Sequence, residues 1–266
     1  MEGYNSDKLR SRSQFGPARQ AVPLHDRLIA GTKKMSTVSQ RARNKPSLAK
    51  TGLAKPGPLK PKQPANGVTK ERLLLAATEL FAEKGFHGSS TREITWRART
   101  NLSSLYFHWR SKANLYIEVH RRIFQLMTKV AQEVADLLGQ GLHSSKSLDE
   151  MMEPITNRVF EFFDANPNLA RLNLHRVLDD SVLAARIEKE FENPLHQAMA
   201  LCYRRLTEEG LITVRDPELL SFSLETLLDR YFASPAHVER SLGLRRKELR
   251  TRMRNHFRET FLRLLR

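Results

Sequence analysis

The chain has 266 residues, a formal net charge of +16 at pH 7 and one cysteine, Cys202. That length supports one or two domains with a sizeable core, while a lone cysteine excludes an intramolecular disulfide and any multi-cysteine metal centre. The sequence has neither the run of about eighteen apolar residues that a membrane span needs nor the short apolar core of a secretory leader, so a soluble, cytoplasmic protein is expected.

Residues 1–68 come first and read as a disordered basic arm. Fourteen Lys and Arg against Glu2, Asp7 and Asp26 give residues 1–69 a net charge of +11, and Pro46, Pro56, Pro58, Pro61 and Pro64 stand among five lysines. Prolines at this density break helix and sheet alike, and too little apolar surface is present to offset the chain entropy. Such an arm either gains affinity for phosphates by releasing counterions or serves solubility alone.

From Thr69 onward the apolar period is helical. Val68-Thr69 offers an N-cap, Leu73, Leu74, Ala77, Leu80 and Phe81 recur at helical spacing, and Gly85 stops the helix after Lys84. Ser90 caps a short second helix to Arg97, with Glu93 completing a Ser-x-x-Glu capping box. A third covers Leu102 to His108. Ser111 starts a long fourth helix whose buried face should carry Leu115, Val119, Ile123, Leu126 and Val130. Further helices are expected at 148–164, 168–178, 181–191, 194–209, 217–233 and 244–265, separated at Asn166-Pro167, Asn193-Pro194, Gly210 and Asp216-Pro217. No segment alternates with period two, so the fold class is all-α. Cys202 falls in an apolar helical stretch and reads as a small core residue.

Two short helices joined by a tight turn, the second exposed, describe a helix-turn-helix, whose second helix fits the major groove of duplex DNA. Leu80, Phe81, Phe86, Ile94, Ala98, Leu105 and Trp109 supply its small core. Leu102, Ser103, Ser104, Tyr106 and Phe107 are left for the outer face of the third helix. Helix N-termini at Thr91 and Leu102 would point free N–H groups towards phosphate. Net charge agrees: residues 70–130 carry +6 and residues 240–266 carry +8, against −9 for residues 131–239. That distribution suits a polyanion bound at one end of the molecule.

The stretch Leu73–Leu115 resembles the N-terminal domain of the tetracycline-repressor (TetR) family of bacterial regulators. The matching pieces are Ala76-Ala77, Leu80-Phe81, Gly85-Phe86, Ser89-Ser90, Glu93-Ile94-Thr95 and the block Leu105-Tyr106-Phe107-His108-Trp109-Arg110-Ser111-Lys112. The resemblance implies phosphate contacts from Ser90 or Thr91, Tyr106 and Lys112, and base or groove contacts from Asn101, Leu102, Ser104 and Phe107. It also implies an internal, hydrogen-bonding role for His108 and no metal. The sequence departs from the family where the turn Ala-Gly-Val-Ser reads Ala98-Arg99-Thr100-Asn101. If Arg99 takes positive φ there, the missing glycine costs about 1 kcal/mol. Trp96 stands where a polar side chain is usual, and Arg97 and Arg99 add charge near the turn.

The resemblance further implies that the C-terminal helices build a dimer interface and often an effector pocket. The domains are therefore expected as the arm at 1–68, a three-helix DNA-binding domain at 69–115, and a larger helical dimerisation and effector domain at 116–266. Helices 217–233 and 244–265 are the interface candidates; the second, amphipathic and Arg-rich, also reads as an ordinary core helix or a membrane-surface helix. Phe160, Phe163, Leu172 and His175 are the candidate effector contacts, with plain core packing as their other reading. No Gly-rich phosphate loop, His-Glu-x-x-His motif or Gly-x-Ser-x-Gly elbow is present, so neither an enzyme nor a cofactor is expected. The function expected is a homodimeric regulator of double-stranded DNA, a repressor on a near-palindromic operator that a small-molecule effector releases. The competing reading is a non-specific nucleic-acid-binding or adaptor protein working through its arm.

Overall fold

The structure, a computed structural model, describes residues 66–266 apart from Ser145. The described residues are helical throughout, with no strand among them. In chain order the helices are α1 (Asn66–Lys84), α2 (Thr91–Arg97), α3 (Leu102–Trp109), α4 (Lys112–His143), α5 (Leu148–Ala165), α6 (Leu169–Val177) and α7 (Val182–Ile187), followed by a π-turn (Glu188–Glu192). Then come α8 (Asn193–Glu208), α9 (Pro217–Ala233), α10 (Pro235–Leu242) and α11 (Arg246–Leu264). Many starts are set by one polar side chain that accepts an otherwise unpartnered N–H: Ser90, Asn101, Ser111, Ser147, Ser181 and Asp216 do so.

Helix α1 lies across α2, α3, α4 and α6, and α2 to α3 form a compact head with it. Leu73, Leu80, Phe81, Ile94, Leu105 and Leu115 are essentially inaccessible there, and Phe86 is half-buried. From this head α4 runs on into the C-terminal helices. Its residues Tyr116, His120 and Phe124, one turn apart, make a row of rings: Tyr116 meets Phe81 edge-on at 4.9 Å, His120 sits 4.5 Å from Tyr116, and Phe124 stacks on Phe191 at 6.2 Å. A second aromatic core lies between α5, α9 and α11, where Phe160 packs on Tyr231, Phe232 and Phe257 and Phe163 stacks on Phe232 at 4.7 Å. Between α4 and α5, Gly141 gives way to Met151: a Cβ there would stand 1.7 Å from its sulfur. The helices approach as closely as they do because that Cβ is missing.

Several expectations change. Helix α1 begins at Asn66, so Thr69 lies inside it and caps nothing; the rest of the expected arm, residues 1–65, lies outside the described residues. Asn193-Pro194 is no break. The chain stays helical from Val182 to Glu208 because Pro194 falls in the first turn of α8, where its missing N–H is no loss, and the π-turn absorbs the change of register. Helix α10 was not expected, being short and without a buried residue of its own. Leu126 is exposed, since the buried stripe of α4 runs through Tyr116, His120 and Phe124 beside it. The Arg-rich α11 is a core helix with a basic outer face: Leu249, Phe257, Phe261 and Leu262 are buried, and Arg250 is held by Asp164. No helix of the described residues is long and apolar enough to cross a membrane. Cys202 is buried, and burial pushes its thiol up to about 11.

His120 gives the core a measurable acid sensitivity. It is 0% exposed, and neither ring nitrogen has a hydrogen-bond partner among the described residues. Burial, and after it the charge of Arg176, pushes its pKa down to about 3 from 6.5. Between those values the unfolded chain binds a proton that the folded one refuses, so stability falls as pH drops below about 6.5. Lowering the pH from 7 to 5 should cost about 2 kcal/mol through this residue alone. His120→Phe keeps the ring and removes the proton, so urea denaturation at the two pH values should show a smaller loss in the variant. Equal losses in both proteins would contradict this.

Candidate nucleic-acid interface

The head presents α3 at the surface because its opposite side is fully used. Leu105 and Trp109 point into the core, at 0% and 7% exposure, while Tyr106 and Phe107 stand outward at 45% and 71%. Leu102 and Ser103 are exposed beside them and Ser104 is half-buried. Asn101 caps the helix, its Oδ1 accepting from the N–H and the hydroxyl of Ser104 at 2.8 and 2.9 Å. Those groups are therefore engaged in forming α3, which leaves the amide N–H groups of the exposed Asn101 as available donors.

The turn before α3 is held from behind. Arg99 takes φ +50, the left-handed conformation at the position where glycine is lacking. The Arg72 guanidinium, reaching over from α1, donates to the carbonyls of Ala98 and Arg99, the latter at 2.8 Å. Ser90 closes the capping box of α2: its hydroxyl accepts from the Glu93 N–H at 3.1 Å, and the Glu93 carboxylate accepts from the Ser90 N–H at 3.0 Å. Lys84 first, and Ser90 second, hold the Glu93 carboxyl down to about 2. Thr91 is half-buried at the start of α2.

Lys112 has a role that its position in the chain does not reveal. Its ammonium turns inward and donates to the carbonyls of Phe86 and Ser89 at 2.8 and 2.9 Å, over the Phe86 ring at 4.2 Å. Burial lowers its pKa. It thus ties the first residue of α4 to the loop between α1 and α2, with one of its three N–H donors left for an outside acceptor. Arg97, one of the charges near the turn, is taken up by Glu83 at 2.8 Å and lies 3.6 Å from Glu79. Among the described residues Arg92, Arg99 and Arg110 pair with no carboxylate, and all three are exposed. Arg92 and Arg110 were missed from the sequence, although Arg110 directly follows the reading helix. Its φ of +62, in the left-handed region, ends α3. Trp96 is 80% exposed near the turn, and His108 is half-buried beside Trp109, its ring without a hydrogen-bond partner among the described residues.

The candidate effector residues fare differently. Phe160 and Phe163 are packed among the rings of the second core, and Leu172 is 0% exposed. His175 faces the head instead, its Nδ1 3.0 Å from where a Cβ would stand on Gly85.

A short helix presented on a three-helix head, with its turn and caps satisfied from within, is a helix-turn-helix DNA-binding unit. Residues 73–119 match the family model described as Bacterial regulatory proteins, tetR family. The chain is 25% identical over 179 residues to the uncharacterized HTH-type transcriptional regulator YdgC of Bacillus subtilis, across 60% of this chain and 90% of that one. It is 39% identical over 62 residues to the HTH-type transcriptional activator FasR of Mycolicibacterium smegmatis, across 23% of this chain and 28% of that one. Among solved structures, the transcriptional regulator FadR of Bacillus subtilis in complex with stearoyl-CoA shares the fold, with a TM-score of 0.54 at 15% identity over 74% of this chain and 100% of that one. The head thus carries a helix-turn-helix similar to that of the tetR-family bacterial regulatory proteins, and the chain shares its helical fold with transcriptional regulators.

Replacing Lys112 by Met keeps the aliphatic stem and removes the donor, leaving two carbonyls of the head unpaired. Urea denaturation should show a loss of about 2 kcal/mol. An unchanged midpoint would show that the ammonium does not hold the loop.

Proposed function

We propose that the protein represses transcription as a homodimer, each protomer placing α3 in the major groove of one half of a near-palindromic operator. The observation that carries this reading is the outward face of α3, where Leu102, Ser103, Tyr106 and Phe107 are exposed together. The unpaired Arg92, Arg99 and Arg110 stand around it. Hydroxyls and rings there meet base edges and thymine methyls, while the arginines and the free Asn101 donors meet phosphate. Thr91 and the remaining donor of Lys112 complete the backbone contacts, while the donors of Ser90 and Ser104 stay engaged in the helix caps. One head spans only a few base pairs, and two-fold sites ask for heads about 34–36 Å apart.

Support for the dimer comes from α8 and α9, which pack side by side and leave apolar side chains outside. Leu201 on α8 and Leu219, Phe222 and Leu227 on α9 are 45–62% exposed, with Ser223 and Thr226 between them permitting close approach. A second copy laid on this face removes those side chains from water. A small-molecule effector held among the C-terminal helices then releases DNA through α6. His175 touches the head at Gly85, and just beyond α6 Asp179 lies 3.7 Å from His87. The stearoyl-CoA bound by FadR shows that this fold accommodates such a ligand in that protein.

The test is binding to genomic DNA fragments over a salt series, comparing the full chain with a Tyr106→Ala/Phe107→Ala variant and with a deletion of residues 1–65. Both side chains are exposed, so the double variant should fold normally and lose the fragments that survive near physiological salt, by about 100-fold in affinity. The deletion should lower affinity for all fragments alike and flatten the salt dependence. Equal binding of every fragment, weakened by the deletion alone, would instead make the protein a non-specific polyanion binder.

A further inference from the structure

Away from the DNA-binding head, the helices around α9 enclose a group of polar side chains that the DNA-binding function does not use. Glu192 closes the π-turn and His196 stands one turn later on α8; opposite them Glu225 and Asp229 stand one turn apart on α9. Glu192, His196 and Glu225 each offer a ligand atom within 4.8 Å of the other two. The His196 Nε2 already touches the Glu225 carboxylate, and Arg176 from α6 lies 2.6 Å from Glu192. Exposure is small: 11%, 24% and 17% for the side chains of Glu192, His196 and Glu225.

Two further observations show that the group is incomplete. Asn173, 0% exposed, directs its Nδ2 at Glu225 and Asp229, 3.4 and 3.3 Å away, and its Oδ1 has no hydrogen-bond partner among the described residues. Asp229, 6% exposed, likewise has an Oδ1 without one. Three carboxyl groups therefore share one guanidinium and one imidazole in a space that excludes most water. Native structures rarely leave so many buried polar atoms unmatched.

We propose that Glu192, His196 and Glu225 hold a divalent first-row transition cation, with Asp229 and Asn173 orienting the carboxylates around it. One imidazole with two carboxylate oxygens is a donor set suited to Zn²⁺, Mn²⁺ or Fe²⁺. With metal–ligand distances of about 2.0–2.2 Å, tetrahedral ligands stand about 3.3–3.6 Å apart, so the His196–Glu225 pair opens and the widest pair closes by about 1 Å as the ion enters, movements within reach of side-chain rotation. Carboxylates and an imidazole projecting inward from facing helices are a common way to build such a site. A π-turn ending on a ligand also fits, because these turns collect at functional positions. The assignment is independent of how the head reads DNA.

The test titrates the full chain, stripped with chelator, with Zn²⁺ by calorimetry. One ion should bind per chain, and Glu225→Gln and His196→Gln should each weaken binding at least about tenfold. His237→Gln/His256→Gln, at exposed histidines, should leave it unchanged. Absence of binding, or affinity in the two site variants equal to that of the unaltered chain, overturns the site. If circular dichroism shows those variants unfolded, Co²⁺ titration of the unaltered chain decides. Visible bands that saturate at one equivalent and are erased by Zn²⁺ support the site, and their absence overturns it.

Discussion

Helix α4 starts beneath the reading head and ends among the C-terminal helices, so its side chains have to complete two cores at once. At its first residue the Lys112 ammonium fixes the loop that launches α2, and Asn114 donates to the Trp109 carbonyl at the end of α3. Tyr116 then closes the head beneath Phe81, and His120 and Phe124 carry the same stripe to Phe191. Ordinary propensity explains a helix here; what makes this one central is that its ring row is shared. Packed interiors transmit displacement because they are dense, so the angle of α3 is tied to the body through a few large residues.

The second organising feature is how charge is allotted. In the head Lys84 pairs with Glu93, Arg97 with Glu83 and Arg122 with Glu71. Such exposed pairs contribute little stability each, but they withdraw cations and anions alike from the surface. The arginines left over, Arg92, Arg99 and Arg110, lie on α2, in the turn and at the end of α3. Arg99 accepts left-handed backbone at a cost of about 1 kcal/mol, and the Arg72 guanidinium offsets part of it by binding the turn's carbonyls. The C-terminal helices do the opposite, with acids gathered inside at Glu192, Glu225 and Asp229. Burial and the neighbouring Glu225 push the Asp229 carboxyl up to about 8.

Much of this was legible in the sequence because helices announce themselves locally. Apolar residues at three- and four-residue spacing, Ser90 with Glu93, and Gly85 at positive φ fix both type and limits of the head's helices. The outward set of α3 followed by subtraction once Leu105 and Trp109 were assigned to the core. What escaped was either too short or through space. Helix α10 is eight residues with no buried face to betray it, and a proline that normally ends a helix was carried by the π-turn at Glu192. The inward turn of Lys112 depends on carbonyls 23 and 26 residues away. His196 and Glu225 meet across 29 positions, and no local pattern connects them. His175 read as an aromatic neighbour of Phe160, whereas its place on α6 faces it to Gly85.

The central claim, that two copies of α3 read one duplex from its major groove, is tested most directly by guanine-N7 methylation interference on a fragment the protein selects. The account predicts interference at guanines in two clusters, about one helical turn apart on one face of the duplex and related by its two-fold axis. Binding indifferent to N7 methylation, with protection spread evenly along the fragment, would contradict it.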